Sequence, residues 1–335
     1  MVGDTSAMKR KNVLVFRELP PDQLVRLQAL HAVTVANPRL SEQAPAFREA
    51  LAVADGMIGS SYPVDAALLA QAPHLQVISS VSVGVDNYDL PALAARGIML
   101  CHTPGVLTET TADTIFALIM ASSRRLVELA NHVREGRWTR NIGEELFGTD
   151  VHGKTLGIMG FGRIGQALAR RAALGFGMPV LYHSRREVDL AQDAPDLVGR
   201  VAFTPMEGLL RQSDIVAVVL PLSDATRGLM GAREFAWMKP GAIFINGARG
   251  AIVQEAALLA ALNGGSLRAA GLDVFATEPL PQDSPLRTHP KVTALPHIGS
   301  ATHETRHAMA QMATSNLLNV LAGRPPLAVF SPIQS

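Results

Sequence analysis

A short apolar run, Leu156–Met159, leads directly into Gly160-Phe161-Gly162-Arg163-Ile164-Gly165. A Gly-x-Gly-x-x-Gly turn behind a strand and ahead of a helical segment leaves few folds open. The first glycine permits the tight turn. The second lets backbone approach a pyrophosphate, and the third lets helix and strand pack closely. Free N–H groups at the helix start then face the phosphates. In this setting Gly160, Gly162 and Gly165 imply a bound dinucleotide. The bland alternative is a tight turn that binds nothing.

The chain around this loop is built to match. Apolar runs at Val13–Phe16, Val33–Ala36, Met57–Gly59, Leu75–Val83 and Gly97–Leu100 alternate with helical segments. A break at Thr103-Pro104-Gly105 follows. Thr110-x-x-Asp113 has the form of a helix-start box, and a long helix is expected over Ala112–His132. A second series carries strand runs at Leu156–Met159, Val180–Tyr182, Ile215–Leu220, Ala242–Ile245, Ala269–Leu272 and Val292–Leu295, and Thr302–Leu321 reads as a closing helix. Several runs are apolar throughout, as strands buried on both faces are. Strands alternating with helices give an α/β fold of parallel sheets. With 48% hydrophobic and 18% charged residues, the chain can bury a sizeable core.

Three further strand ends carry reactive side chains. Ile245-Asn246-Gly247-Ala248-Arg249-Gly250 ends in an arginine. Ala270 to Leu280 holds Asp273 and Glu278, and Leu295-Pro296-His297-Ile298-Gly299-Ser300 holds a histidine. Open α/β sheets place their ligands at such ends. Cofactor choice is read at the end of the next strand. An acid about 20 residues beyond the glycine loop would hold a ribose 2′-hydroxyl. Here Ser184 stands there, followed by Arg185-Arg186. A hydroxyl beside two guanidiniums favours a 2′-phosphate, so NADPH is expected over NADH. The alternative is that both arginines are solvated surface charge.

These motifs, with Val81-Ser82-Val83-Gly84-Val85-Asp86-Asn87 and Thr103-Pro104-Gly105, resemble the D-isomer-specific 2-hydroxyacid dehydrogenases from Val13 to about Gly323. Phe147 to His152, Ser184-Arg185-Arg186 and His297 to Arg306 are most similar to the glyoxylate/hydroxypyruvate reductases that also reduce 2-ketogluconate. Two segments depart from the pattern. Relatives often have Ala-Gly or Thr-Ser before the arginine where this chain has Gly247-Ala248, and many carry Asp where it has Gln254. The resemblance implies a Rossmann cofactor domain, residues 104–300, inserted in a flavodoxin-like substrate domain of residues 8–103 and 301–335. It implies reduction of small 2-keto acids by hydride transfer. Arg249 would bind the carboxylate and polarise the carbonyl. His297 would act as general acid, with Glu278 orienting its ring. Backbone at Val83 and Gly84 would hold the substrate carboxylate. Asp273 would face the nicotinamide carboxamide, and Arg163 and Ile164 would lie along the pyrophosphate. Further cofactor contacts are implied for Thr111, Leu220, Pro221, Gly247, Ala248, Arg249, His297, Gly299 and Ser300, together with a homodimer joined through the cofactor domains. Other members of the family, acting on D-lactate or phosphoglycerate, and non-enzymatic nucleotide-sensing corepressors of the same fold remain as alternatives.

Other features exclude rival classes. Thirty Lys plus Arg against 29 Asp plus Glu leaves a net charge of +1, so no bulk field points to nucleic acid or an anionic membrane. No apolar run approaches the ~18 residues of a spanning helix. The single cysteine, Cys101, precludes an internal disulfide and suits a reducing compartment such as the cytoplasm. It reads as a small buried hydrophobe. His303-Glu304-x-x-His307 spells a zinc-protease pattern. It lies at the start of the closing helix without a third ligand, and reads as a polar first turn; no metal is expected. Trp138 and Trp237 are expected in or near interfaces, and Arg124-Arg125 on a solvated face or a subunit contact. Residues 1–7 precede a second methionine, Met8, and read as an added leader or as the result of an alternative start.

Overall fold

In the computed structural model, which describes residues 9–331, the chain divides into two compact units. Met1–Leu107 with Thr302–Ser335 forms one, and Thr108–Ala301 the other. The reading of residues 1–7 lies outside the described residues.

The first unit holds a parallel sheet of β1 (Asn12–Val15), β2 (Ala32–Val35), β3 (Gly56–Gly59), β4 (Val77–Ser80) and β5 (Met99–Cys101). Their order is β2-β1-β3-β4-β5, the flavodoxin-like winding. The central strands β3 and β4 are buried along their whole length. The helix His303–Leu321 packs on them, with Ser79 Oγ donating to the Ala313 carbonyl at 2.7 Å. Gly56 makes room for it, because a Cβ there would lie 2.9 Å from Leu317 Cδ1.

The second unit holds β6 (Leu156–Met159), β7 (Val180–His183), β8 (Val201–Phe203), β9 (Ile215–Val218), β10 (Ala242–Asn246), β11 (Leu267–Leu272) and β12 (Val292–Ala294). Their order is β12-β11-β10-β9-β6-β7-β8. Counted from β6, this is the Rossmann order extended by one strand. The register pairs Leu156 with Val180 on one side and Ile215 on the other. The winding therefore reverses at β6, so its carboxyl end, the glycine loop, opens into the switch-point crevice. Strands β6, β9 and β10 are buried throughout, which is why their sequences do not alternate.

Local readings differ from the structure in four places. The long helix is two helices, Thr108–Arg124 and Leu126–Arg134, parted by Arg125 at φ 53°. The break lies where Thr149 N–H donates to the Ser123 carbonyl at 2.8 Å, and a Cβ on Gly148 would come 2.5 Å from that oxygen. Docking of the 148–149 segment thus overrides helical propensity. Thr110 is no cap: the helix begins at Thr108, and the Asp113 carboxylate pairs with Arg171 at 2.7 Å. Strand β8 has no counterpart in the sequence reading, since three half-exposed edge residues leave little hydrophobic signal. The run Ile215–Leu220 is strand only to Val218, leaving Val219, Leu220 and Pro221 in the loop beyond it.

Candidate active site

Gly160 sits at φ 104°, in the region that favours glycine. A Cβ there would lie 2.8 Å from the Val219 carbonyl carbon and 3.0 Å from Leu220 N. A Cβ on Gly165 would come 2.1 Å from the Gly160 oxygen. These two glycines are demanded by packing. Gly162 differs, because a Cβ there meets nothing within 4 Å. It caps the helix Arg163–Arg170 with no side chain, so the space before that helix start is open. An open cradle at a helix N-terminus fits the pyrophosphate of a dinucleotide. Gly160 N–H also donates to the His183 carbonyl at 2.8 Å, which ties the loop to the strand end that carries Ser184.

The Arg249 turn is framed by Asn246. Its side-chain amide donates to the Arg249 carbonyl at 3.0 Å and its oxygen accepts from Ala248 N–H at 3.1 Å. Gly247 lies against Ile115, where a Cβ would come 2.4 Å from Cγ1. Gly250 lies against the Phe275–Ala276 backbone, where a Cβ would be 1.8 Å from the Phe275 carbonyl carbon. That close approach brings the arginine turn beside the segment leading to Glu278. Phe275 N–H donates to Glu278 Oε1 at 3.0 Å, and His297 Nδ1 donates to Glu278 Oε2 at 2.7 Å.

The electrostatics agree with the geometry. Burial alone would raise the Glu278 pKa. The bonds from His297 and Phe275, with the charges of His297 and Arg249, hold it below the usual carboxylate range. Asp273 behaves the other way. It is 2% exposed, and burial pushes its pKa up despite two backbone bonds. Those bonds run from Ile298 N–H to Oδ1 at 2.7 Å and from Gly299 N–H to Oδ2 at 2.8 Å. Asp273 therefore clasps the turn in which His297 sits at φ 55°. The sequence reading did not foresee this. The visible signal was an acid at the end of a buried strand, with a histidine turn at the end of its neighbour. Thr111 and Gly299 meet at this clasp, since a Cβ on Gly299 would lie 3.4 Å from Thr111 Cγ2 and 3.1 Å from Asp273 Oδ2.

The remaining candidates are less engaged. Arg185 and Arg186 are exposed, and Ser184 Oγ donates to the Arg186 carbonyl at 2.5 Å. Arg163 and Ile164 open the helix beyond β6, Leu220 and Pro221 lie in the loop beyond β9, and Ser300 follows the clasped turn. Val83 and Gly84 belong to the first unit, beyond β4. There Ser82 Oγ donates to the Gly84 carbonyl at 2.8 Å, and His102 Nδ1 meets the Val83 carbonyl at 3.2 Å. His307 Nε2 bonds Asp22 at 2.9 Å, and Glu304 lies in the first turn of its helix. Cys101 is fully buried, and burial pushes its thiol up to about 12. No helix among the described residues is long and apolar enough to cross a membrane.

Comparison with known proteins bears on this site. Residues 116–299 match the family model of the D-isomer specific 2-hydroxyacid dehydrogenase NAD-binding domain. Glyoxylate/hydroxypyruvate reductase B of Klebsiella pneumoniae subsp. pneumoniae is 51% identical over 314 residues, covering 94% of this chain and 96% of that protein. A crystal structure of a Thermus thermophilus protein superposes with a TM-score of 0.87 at 43% identity, covering 95% of this chain and 99% of its own. An NADPH-dependent glyoxylate/hydroxypyruvate reductase from Sinorhizobium meliloti, solved with NADP and malonate, gives a TM-score of 0.84 at 31% identity, covering 96% and 97%. The glycine cradle and the strand-end cluster thus belong to an NAD(P)-dependent oxidoreductase. More closely, the chain belongs to the D-isomer specific 2-hydroxyacid dehydrogenase family, in the group of the glyoxylate/hydroxypyruvate reductases B.

Proposed function

We propose that this enzyme reduces small 2-keto acids (glyoxylate, hydroxypyruvate and 2-ketogluconate) to D-2-hydroxy acids, with NADPH preferred over NADH. The observation that carries the reading is the 2.7 Å bond between Glu278 and His297, set within reach of the Arg249 charge. A bound nicotinamide would supply the hydride. Residues 108–301 serve as the cofactor domain, with the cradle Gly160–Gly165 holding the pyrophosphate. Thr111, Leu220, Pro221, Gly247, Ala248, Asp273, Gly299 and Ser300 flank the nicotinamide half. The remaining unit serves as the substrate domain.

The residues divide the work as follows. Arg249 binds the substrate carboxylate with its planar fork and polarises the carbonyl. By the resemblance, backbone N–H groups at Val83 and Gly84 are the first unit's contribution to substrate binding. Glu278, kept ionised, fixes the imidazole through Nδ1, which leaves Nε2 to deliver the proton to the carbonyl oxygen as the hydride arrives. The names of the relatives favour glyoxylate and hydroxypyruvate, and 2-ketogluconate rests on the motif resemblance. The exposed Arg185 and Arg186 favour the 2′-phosphate. The enzyme works in the cytoplasm as a homodimer. Its contact is the exposed apolar surface of the second unit, where Leu126, Val127, Val133 and Trp138 are 48% to 61% exposed.

Initial rates for the three keto acids with NADPH and NADH test the reading. Turnover with NADPH is expected. A folded protein inactive on all three with either cofactor overturns it.

A further inference from the structure

The five-stranded sheet has its own switch point. In the order β2-β1-β3-β4-β5 the winding reverses between β1 and β3, and ligands of open parallel sheets bind beyond the carboxyl ends at such a point. A cavity of about 390 Å3 opens there. Arg17 enters it from the end of β1, Ser60 from the end of β3, Val81 from the end of β4 and Arg306 from the first turns of the closing helix. All of these residues belong to the first unit.

Two arginines, Arg17 and Arg306, and one carboxylate, Glu18, are the charged residues that line this cavity. Arg17 Nη1 donates to Ser60 Oγ at 3.1 Å and to Ser61 Oγ at 2.9 Å. Both partners are neutral. Arg306 and Arg39 act on Arg17 as like charges. Partial burial, then these two like charges, push its guanidinium below the usual arginine range. Two guanidinium-bearing residues lining one cavity repel, and an oxyanion placed between them relieves that repulsion while accepting charge-assisted bonds.

We propose that this cavity is a binding subsite for a small oxyanion, a carboxylate or phosphate, separate from the head carboxylate of the keto acid, with Arg17 and Arg306 as its cationic ligands. The anion has two sources, a free ion or the tail of the substrate. Only the second rests on the reduction reading above. It is open because Val81, in the cavity wall, precedes the Val83–Gly84 backbone by two residues on the same strand-end loop.

The test uses Arg17→Gln and Arg306→Gln, which remove charge but keep hydrogen-bonding capacity, each checked by thermal melting. In the first arm, inorganic phosphate is titrated calorimetrically into the full-length protein. NADP is present so that any 2′-phosphate site is filled. Phosphate affinity is expected to fall about tenfold in each variant, the lower end for a charge-assisted bond because the cavity is partly solvated. It should also weaken with added salt. The second arm reads the ratio of kcat/KM for 3-phosphohydroxypyruvate to that for hydroxypyruvate, in which a general loss of activity cancels. A fall of about tenfold in that ratio assigns the anion to the substrate's tail. An unchanged ratio with weakened phosphate binding assigns it to a free ion. Phosphate affinity and ratio both unchanged in two normally melting variants overturn the proposal. If the wild type reduces no keto acid, the function reading fails, and the phosphate arm still decides the subsite.

Discussion

Two strand ends of the seven-stranded sheet carry charge in opposite ways. Beyond β11 and β12, Glu278 and His297 are joined at 2.7 Å, and Asp273 clasps the histidine turn with two backbone bonds. Beyond β7, Arg185 and Arg186 stand in solvent, and the Ser184 hydroxyl turns back on the backbone of its own turn. Proton transfer needs a donor fixed to within a fraction of an ångström. Recognition of a phosphate dianion needs only cations within reach, since its attraction falls off slowly with distance. On the proposed function, these needs match a first end built from long-range contacts and a second built from adjacent residues.

The contrast is most sharply broken at His297. His297→Ala should lower kcat by about 10²–10⁴ while leaving NADPH affinity nearly unchanged. Near-normal kcat in a folded variant would remove the proton from this residue and leave the rigid end without a purpose.

The solvated end should yield less. A Ser184→Asp, Arg185→Ala double variant should shift the NADPH/NADH ratio of kcat/KM toward NADH by about tenfold. That is the lower end for a lost charge-assisted bond, because the site is exposed. The wild-type preference should shrink with added salt. A wild type with equal or better efficiency on NADH would show these arginines to be surface charge.

Gly250→Ala separates position from chemistry. Its Cβ would land 1.8 Å from the Phe275 carbonyl carbon, so backbone must move, at about 1–3 kcal/mol. The melting temperature should fall by several degrees and kcat should drop, although no reacting group is altered. An unchanged melting temperature would show that the two turns do not depend on this close approach.

The smallest effect is in pH. The folded Glu278 pKa is depressed, so its stabilising contribution is fully present above its unfolded value of about 4.3 and is lost as pH falls through the folded one. Urea melts of wild type and Glu278→Gln should differ at neutral pH and converge below that window. A difference that persists in strong acid would assign the loss to packing instead.

Much of this architecture was legible in the residues. Fully apolar runs such as Leu156–Met159 announce strands covered on both faces, because burial on both sides removes alternation. Gly160, Gly162 and Gly165 carry their own mechanical reasons. The arginine, glutamate and histidine could be picked out because each follows an apolar run at the expected strand end. Edge strand β8 could not, having almost no buried surface to leave a pattern. Nor could the break at Arg125, which is set by a segment that docks from more than twenty residues away.

By itself the sequence determined the parallel α/β class, the dinucleotide loop and the chemical types at the strand ends, since these follow from local periodicity and from what glycine alone permits. The tertiary structure decided which of those groups meet. Gly250 packs on Phe275, Asp273 reaches the backbone after His297, and Arg17 comes to share a cavity with Arg306, 289 residues further along. Distances between residues far apart in the chain depend on how whole strands and helices stack. No local pattern encodes that stacking, because it is settled only when each sheet buries its faces under its own helices.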